Sequence, residues 1–324
     1  RYEHRREACM NKLKFYEYEN MEDFFYRHEG TTVIQATGED AEDYLQSQWS
    51  IDLRKLQIGH VRYGLRLSSK GKILAGAYIA RIEEEEFLLI SPENSGVQII
   101  KLMEENVVAD EVEFLDVSKS WQMHSLFTEG SESPNLIPQV DLSALQMQKF
   151  VKFKNGIVMA DEKMPDAFYL TLCQEDYNLE KHLEEGLQRI SKERYDFLRI
   201  KFANYSIPHE IGDEDLPQEA KMEQKFVDFN KGCYLGQEVM ARLHAMGQVQ
   251  REVISIRWET CNTSCPTLPV LVMMDQKQVG QVKSIVRHES EWVGVAKIHL
   301  KSKDRLLKHG LNLEDTSMGK IYFL

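Results

Sequence analysis

The most informative stretch of this 324-residue chain is the motif Lys231-Gly232-Cys233-Tyr234-Leu235-Gly236-Gln237-Glu238. Its first two residues predict a turn, and Gly236 permits a tight entry into a helix that carries Val239, Met240 and Leu243. A lysine, a thiol, an amide and a carboxylate therefore surround one turn and one helix start. Because positive charge and a helix N-terminus both attract anions and favour a reactive thiol, this motif is the first candidate for a functional site.

Four residues of this region have both a functional and a structural interpretation. Cys233 is predicted to be reactive, as a redox thiol or a thiolate contact; the alternative is an inert buried cysteine. Lys231 either holds an anionic ligand and assists the thiol or is a solvated surface lysine. Gln237 either binds a ligand or caps the helix. Arg242 follows Glu238 by one helical turn, so it either contacts a ligand or forms an ion pair worth about 0.3–0.5 kcal/mol.

A fifth candidate lies upstream of the motif, in the sequence Leu216-Pro217-Gln218-Glu219-Ala220. Glu219 is predicted to contact a ligand through its carboxylate. The structural alternative is a glutamate in the first turn of a helix, where the helix dipole favours negative charge.

Composition limits the possible functions of the chain. Forty Lys and Arg against 52 Asp and Glu give a formal net charge of -12, which argues against direct binding to nucleic acid or an anionic membrane. The longest nearly apolar run, Ile73–Ala80, is too short for a spanning helix, and no secretory leader is visible. Five cysteines without paired spacing indicate reduced thiols in the cytosol, and the close pair Cys261 and Cys265 lacks further zinc ligands.

Hydrophobic periodicity predicts mixed α and β structure before residue 250. A helix should carry Ala41, Tyr44, Leu45 and Trp49 on one face, and a second should cover 96–106. Strands are predicted at Arg62–Leu67, Ile73–Ile82, Phe87–Ser91, Phe150–Lys154 and Phe168–Cys173. Leu179, Leu183, Leu187 and Ile190 form the stripe of an amphipathic helix. Short alternating strands after residue 250 predict an all-β domain, with the boundary near 248–252.

These motifs resemble the YgfZ-type folate-binding proteins, relatives of the T-protein (aminomethyltransferase) of the glycine cleavage system. That family has the signature K-G-C-[FY]-x-G-Q-E followed by an arginine, and residues 231–238 match every fixed position, with Arg242 following. Its N-terminal part is similar at Gly38-Glu39-Asp40-Ala41, Leu45-Gln46-Ser47-Gln48 and Ser69-Lys70-Gly71-Lys72-Ile73-Leu74.

The resemblance implies an α+β fold with two interleaved subdomains, one of them ferredoxin-like, around a central channel, and a C-terminal antiparallel β-barrel. The implied cofactor is tetrahydrofolate, whose pteridine ring would pair with Glu219, while Lys231, Gln237 and Arg242 would contact the rest. The family assists iron–sulfur protein assembly or repair, and tRNA modification depends on it indirectly. Tyr63 and Arg66 could line the channel, although strand packing explains them equally well.

One departure from the family puts glycine-cleavage activity in doubt. T-proteins carry an Asp after an Asn-rich stretch at the end of a strand, and the matching residues 89–95 here contain no Asp. Glu93 is a carboxylate of uncertain register. T-proteins also lack the cysteine motif, which points the same way.

We therefore expect an N-terminal extension at 1–28, a folate-binding region at 29–250 and a β-barrel at 251–324. The expected function is tetrahydrofolate binding in support of iron–sulfur client or assembly proteins in the cytoplasm, with no metal site, nucleic acid or membrane bound directly. The alternatives are a folate-dependent one-carbon (aminomethyl) transferase or demethylase, and a folate-binding scaffold without chemistry.

Overall fold

The computed structural model describes residues 21–128, 137, 140–142, 145–184, 187–260 and 265–324. These residues form two antiparallel-rich sheets and a closed barrel, joined by short helices. The mixed α+β architecture and the C-terminal antiparallel barrel expected from the sequence are confirmed. No helix in these ranges is long and apolar enough to cross a membrane.

The first sheet has five strands in the order β3-β4-β5-β2-β6. Their bounds are β2 (Thr32–Thr37), β3 (Val61–Leu67), β4 (Ile73–Glu83), β5 (Glu86–Ser91) and β6 (Glu113–Asp116). Helices α1 (Ala41–Gln48) and α2 (Gly96–Glu104) cover one face, where Ala77 and Ile79 of β4 pack. Tyr78 and Ala80 face the other core. The run Ile73–Ala80 is therefore almost continuously apolar because β4 is buried on both faces.

The second sheet has six strands in the order β11-β1-β7-β10-β9-β8. Their bounds are β1 (Phe24–Arg27), β7 (Trp121–Phe127), β8 (Phe150–Phe153), β9 (Gly156–Ala160), β10 (Phe168–Gln174) and β11 (Gln188–Arg189). The chain enters this sheet at β1, builds the whole five-stranded sheet, and returns at β7. The two α+β units are thus interleaved.

Strand β1 lies before the region that the sequence analysis expected to bind folate. It lies between β7 and β11 in the interior of the second sheet, and Phe25 is completely buried there. Residues 24–27 therefore belong to the sheet, although they fall inside the span expected to be an N-terminal extension.

The C-terminal barrel closes in the order β12-β15-β14-β13-β16-β17. Its strands are β12 (Arg251–Glu259), β13 (Val270–Met274), β14 (Lys277–His288), β15 (Glu291–His299), β16 (Leu311–Leu313) and β17 (Lys320–Phe323), with α7 (Lys303–His309) between two of them. Its interior is apolar and includes Ile256, Val272 and Ala296. The first strand of the barrel, β12, begins at Arg251.

The described residues also include the helices α3 (Leu179–Glu184), α4 (Lys192–Lys201), α5 (Glu223–Phe226) and α6 (Gln237–Met246). The amphipathic helix expected to extend to Ile190 is shorter than its stripe. Leu187 and Ile190 lie beyond the end of α3, yet Leu187 still packs in the same core as Leu179 and Leu183. The hydrophobic stripe correctly indicated that these leucines are buried, but residues 188–189 form strand β11 and are not helical.

Candidate functional site

The loop between α5 and α6, residues 226–235, carries the cysteine motif and is bonded along its length to residues 46–52. Three hydrogen bonds join the two segments. The Ser50 hydroxyl donates to Phe226 O (2.5 Å), Asp228 N donates to Ser50 O (2.9 Å), and Leu235 N donates to Ser47 O (3.1 Å). The Asp52 amide donates to Asp228 Oδ2 at 2.6 Å. We call residues 226–235 the motif loop; its conformation is fixed by the segment that follows α1.

Lys231 makes the densest of these contacts. Its Nζ donates to the carbonyl oxygens of Gln46, Trp49 and Ile51, each at 2.6 Å, and the residue is only 7% exposed. Burial lowers the pKa of Lys231 to about 7, although nearby carboxylates oppose the shift. Because an ammonium has three hydrogens, none is left for a folate carboxylate. The geometry argues for a framework role and against the expected ligand contact.

Cys233 lies at the tip of the motif loop and is exposed, as is the preceding Gly232. A Cβ atom built on Gly232 would have no neighbour within 4 Å, so this tip projects away from the rest of the protein. An inert buried cysteine, the structural alternative, does not describe this residue.

Cys173, in contrast, is an inert buried cysteine: it lies on β10, and burial raises the pKa of its thiol to about 12. Cys265 is exposed, and Cys9 and Cys261 lie outside the described residues.

Two glycines allow the hairpin between β3 and β4 to pack against the start of α6. Gly236 has φ of +87°, and a Cβ there would lie 2.7 Å from the Ser68 carbonyl oxygen. Gly71 in the hairpin has φ of +71°, and its Cβ would lie 2.8 Å from Met240 Cε. Only glycine suits such positions. The motif glycine is therefore explained by close backbone approach.

The remaining motif residues divide between structure and surface. Gln237 Nε2 donates to Lys231 O at 3.3 Å, so this amide closes the motif loop against the first turn of α6. Glu238 and Arg242 are both exposed, and no ion pair joins them among the described residues. Of the sequence-predicted ligand contacts near α6, Arg242 is thus the one with a free charged group.

Glu219 is buried in an ionic network with the barrel. Its Oε1 lies 3.3 Å from Arg251 Nε, and its Oε2 lies 3.3 Å from Lys297 Nζ and accepts from Leu216 N at 3.0 Å. Asp215 pairs with the same Lys297 and with Lys283 at 2.9 Å. Each Glu219 oxygen already has a cationic partner, so a bound ring would share these oxygens with Arg251 and Lys297.

A second carboxyl group lies deep between the two sheets and was missed by the sequence analysis. Asp161 follows β9, accepts a hydrogen bond from the Tyr78 hydroxyl, and accepts another from Lys163 N at 2.9 Å. Burial raises the pKa of Asp161 above its ordinary value. The Tyr63 ring, also buried, packs edge-on to Tyr78 with centroids 4.9 Å apart. We call Asp161, Tyr63, Tyr78 and Glu162 the interior cluster.

Glu162, next in sequence, extends the interior cluster. Its Oε2 accepts from Tyr63 N at 2.5 Å, and Arg62 Nε lies 3.3 Å from its Oε1. Burial raises its pKa as well. Two adjacent acidic residues at the end of an apolar strand were the available signal, because such residues in the interior need a specific reason.

Arg66 and Glu93, both considered from the sequence, also have structural partners. Arg66 is completely buried and donates to the carbonyl oxygens of Leu67 and Leu102. Glu93 Oε2 accepts from Ile207 N at 2.7 Å. Arg66 therefore serves packing. Burial raises the pKa of Tyr63 in the interior cluster, and the negative charge of the nearby Glu93 raises it further.

Comparison with known proteins agrees with this arrangement. Residues 28–161 match the GCVT N-terminal domain family. An aminomethyltransferase of Thermoanaerobacter pseudethanolicus is 23% identical over 276 residues, covering 80% of this chain and 72% of that protein. The "Iron-sulfur cluster assembly factor IBA57 homolog, mitochondrial" of Mycosarcoma maydis is 23% identical over 247 residues, covering 72% of this chain and 57% of that protein.

The fold is also that of a solved relative. The crystal structure of glycine cleavage system aminomethyltransferase T from Bartonella henselae superposes with a TM-score of 0.77 at 14% identity, covering 93% of this chain and 84% of that one. The interleaved sheets and the barrel account for this likeness. Residues 28–161 therefore match the GCVT N-terminal domain family, and the chain as a whole is similar to aminomethyltransferases and to an iron–sulfur cluster assembly factor.

Proposed function

We propose that this protein binds tetrahydrofolate and assists the assembly or repair of iron–sulfur proteins, with Cys233 as its reactive residue. The observation that carries the proposal is the exposed Cys233 thiol at the tip of a loop whose base is fixed by hydrogen bonds. A thiol held outward on a rigid support is suited to contact another macromolecule. The similarity to an iron–sulfur cluster assembly factor supports the same process.

Cys233 needs ligands from elsewhere if it contacts a metal. Within the described ranges, no group of three or more His, Cys, Asp or Glu side chains is arranged to hold a metal ion. A single thiolate does not complete a metal or cluster site, which takes several protein ligands. We therefore propose that Cys233 acts together with an iron–sulfur client or assembly protein, which supplies the remaining ligands.

We propose that the ring of a reduced folate binds at the interior cluster. A pteridine presents amino and ring N–H groups, and the carboxyl oxygens of Asp161 and Glu162 are acceptors held beside aromatic rings. Tetrahydrofolate supplies a one-carbon carrier when bound. Arg242 offers an unpaired cation to an anionic tail. A ring contact at Glu219 would share the carboxylate with Arg251 and Lys297.

A second candidate function is a folate-dependent one-carbon (aminomethyl) transferase or demethylase acting on a small amine. One observation favours it: Asp161 is a buried carboxyl group with a raised pKa, which is typical of proton-transfer residues. The aminomethyltransferase relatives point the same way. The exposed thiol has no part in that chemistry, so we rank the transferase second.

The test combines two measurements. Calorimetric titration with tetrahydrofolate and its methylene and formyl forms should show micromolar or weaker binding, which corresponds to about -8 kcal/mol or less favourable. In a strain that lacks the protein, wild-type chain should restore the activity of iron–sulfur enzymes. Release of formaldehyde or transfer of the one-carbon unit from the methylene form to an amine, without any effect on iron–sulfur enzymes, would favour the transferase instead.

We propose that any effect on tRNA modification is indirect and that the protein works in the cytoplasm. The formal charge of -12 supports the first point, because tRNA binding needs a positive surface. Free thiols at Cys173, Cys233 and Cys265 support the second, since reduced cysteines persist in a reducing compartment.

A further inference from the structure

Lys231 is a buried cation whose three hydrogens are all directed at one short segment of the chain. We infer that Lys231 is a positioning residue for Cys233: its ammonium fastens the motif loop to residues 46–52 and thereby fixes where the thiol is presented. Lys231 itself touches neither folate nor a client. The consequence for activity rests on the proposed role of Cys233; the consequence for the loop does not.

The contacts support this assignment. Gln46, Trp49 and Ile51 turn their carbonyl oxygens towards one point, and Lys231 Nζ lies 2.6 Å from each. The ammonium also lies 5.0 Å from the ring centroid of Tyr234, on the far side of Cys233 in sequence. The exposed tip, Gly232 and Cys233, is therefore held between two anchored residues. Without the ammonium, three buried carbonyl groups would lose their shared donor.

Hydrogen exchange at the amides of Asp228 and Leu235 measures loop opening directly. After correction for intrinsic exchange, Lys231→Met should accelerate exchange at both amides at least about tenfold at pH 8, because closure has lost its shared donor. Amides of the barrel strand β12 should be unchanged. Lys70→Met, which removes an exposed lysine from the nearby hairpin, is the matched control and should behave as wild type.

The same two amides give the outcome that would contradict the inference. Equal protection of Asp228 and Leu235 in wild type and in Lys231→Met would overturn it.

Complementation and tetrahydrofolate titration together separate a positioning role of Lys231 from a role in ligand binding. Lys231→Met should lose most of its ability to restore iron–sulfur enzymes while its tetrahydrofolate Kd stays within about twofold of wild type. A Kd weakened more than tenfold with a protected loop would make Lys231 a ligand contact and sink the inference. If wild type itself restores nothing, the proposed function fails, and the exchange data still decide the role of Lys231.

Discussion

Exposure and pairing decide which side chains of this protein are available for chemistry. Cys233 and Cys173 have the same thiol, but one projects into solvent and the other is buried beside β7, with a pKa raised to about 12. A thiolate is the reactive form, so Cys173 is inert at neutral pH. Of these two cysteines, only Cys233 can serve as the reactive residue of the proposed function.

The first prediction concerns Cys233→Ser. The serine hydroxyl keeps the size of the side chain but loses soft-metal affinity and most nucleophilicity at neutral pH. The fold should survive, since the residue has no buried contact, while restoration of iron–sulfur enzyme activity should fall at least about tenfold. Cys265→Ser, a second exposed cysteine, is the control. Full restoration by Cys233→Ser would remove the thiol from the mechanism.

The second prediction compares two carboxyl groups. Asp161→Asn should weaken tetrahydrofolate binding by about 1–3 kcal/mol, because a charged or proton-donating partner of the ring is lost. Glu219→Gln should change affinity less, since its oxygens already bind Arg251 and Lys297. Calorimetry on both variants decides. The reverse order would return the ring contact to Glu219, as the family resemblance implied.

Asp161 also makes a prediction about stability against pH. Its folded-state pKa is raised above the ordinary 3.8, so the folded protein binds more protons than the unfolded chain. The unfolding free energy should therefore fall as pH rises through and above 3.8. Asp161→Asn should abolish this contribution and be at least as stable as wild type at pH 7 in urea titrations. A clear loss of stability in Asp161→Asn at pH 7 would show that the charged carboxylate is needed.

At this scale the sequence identified the right region but not the right contacts. It singled out Cys233 because the motif is long and specific, and the structure places this residue in an exposed position. It could not foresee that Lys231 would turn inward, since its three carbonyl partners lie about 180 residues earlier in the chain. Asp161 was missed for a similar reason: its burial results from two sheets that meet only in the folded protein.

At the scale of elements, the start of α6 depends on a glycine. Gly236→Ala should lower the unfolding free energy by about 1–3 kcal/mol, because φ of +87° is strained for alanine and the new Cβ meets the Ser68 oxygen. Gly232→Ala is the matched control in the same motif: nothing lies within 4 Å of its Cβ. Urea unfolding of both proteins measures the difference. Equal stability of the two variants would contradict the close approach of hairpin and helix.

The sequence predicted best those helices and strands whose hydrophobic pattern matches their burial in the fold. Strands β3, β4 and β5 and helix α2 lie within a few residues of the predicted ranges, because alternation and helical spacing both report burial. The helix at Leu179 was predicted too long. Leu187 is buried by the same core whether the backbone is helical or not, so periodicity alone could not locate the end of α3.

For the molecule as a whole, charge predicts a negative result. The formal charge of -12 should prevent direct tRNA binding, because a nucleic-acid complex needs a cationic face that releases counterions. A gel shift with total tRNA at physiological salt should show no complex at micromolar protein. A sub-micromolar, sequence-selective complex would require a local basic surface that the total charge conceals.

The order of the sheets was predictable only through the family resemblance. Local patterns identified strands and a boundary near residue 250, but nothing in them reveals that β1 pairs with β7 although the whole five-stranded sheet lies between them in sequence. Such pairing is set by long-range packing between Phe24 and Phe127, whose rings stack 5.6 Å apart.

That pairing has a consequence for how the protein is made. As the chain leaves the ribosome, the residues Phe24, Phe25 and Tyr26 emerge long before β7, their partner. At about 5–20 residues per second, the gap between β1 and β7 corresponds to roughly 5–20 seconds of translation. During that interval the aromatic strand β1 is exposed to solvent with unpaired amides, while the five-stranded sheet forms from the residues that follow it. Nascent chains are therefore vulnerable to chaperone binding or aggregation at β1. A ribosome stalled before residue 121 would carry a chain with a folded five-stranded sheet and an exposed, unpaired β1.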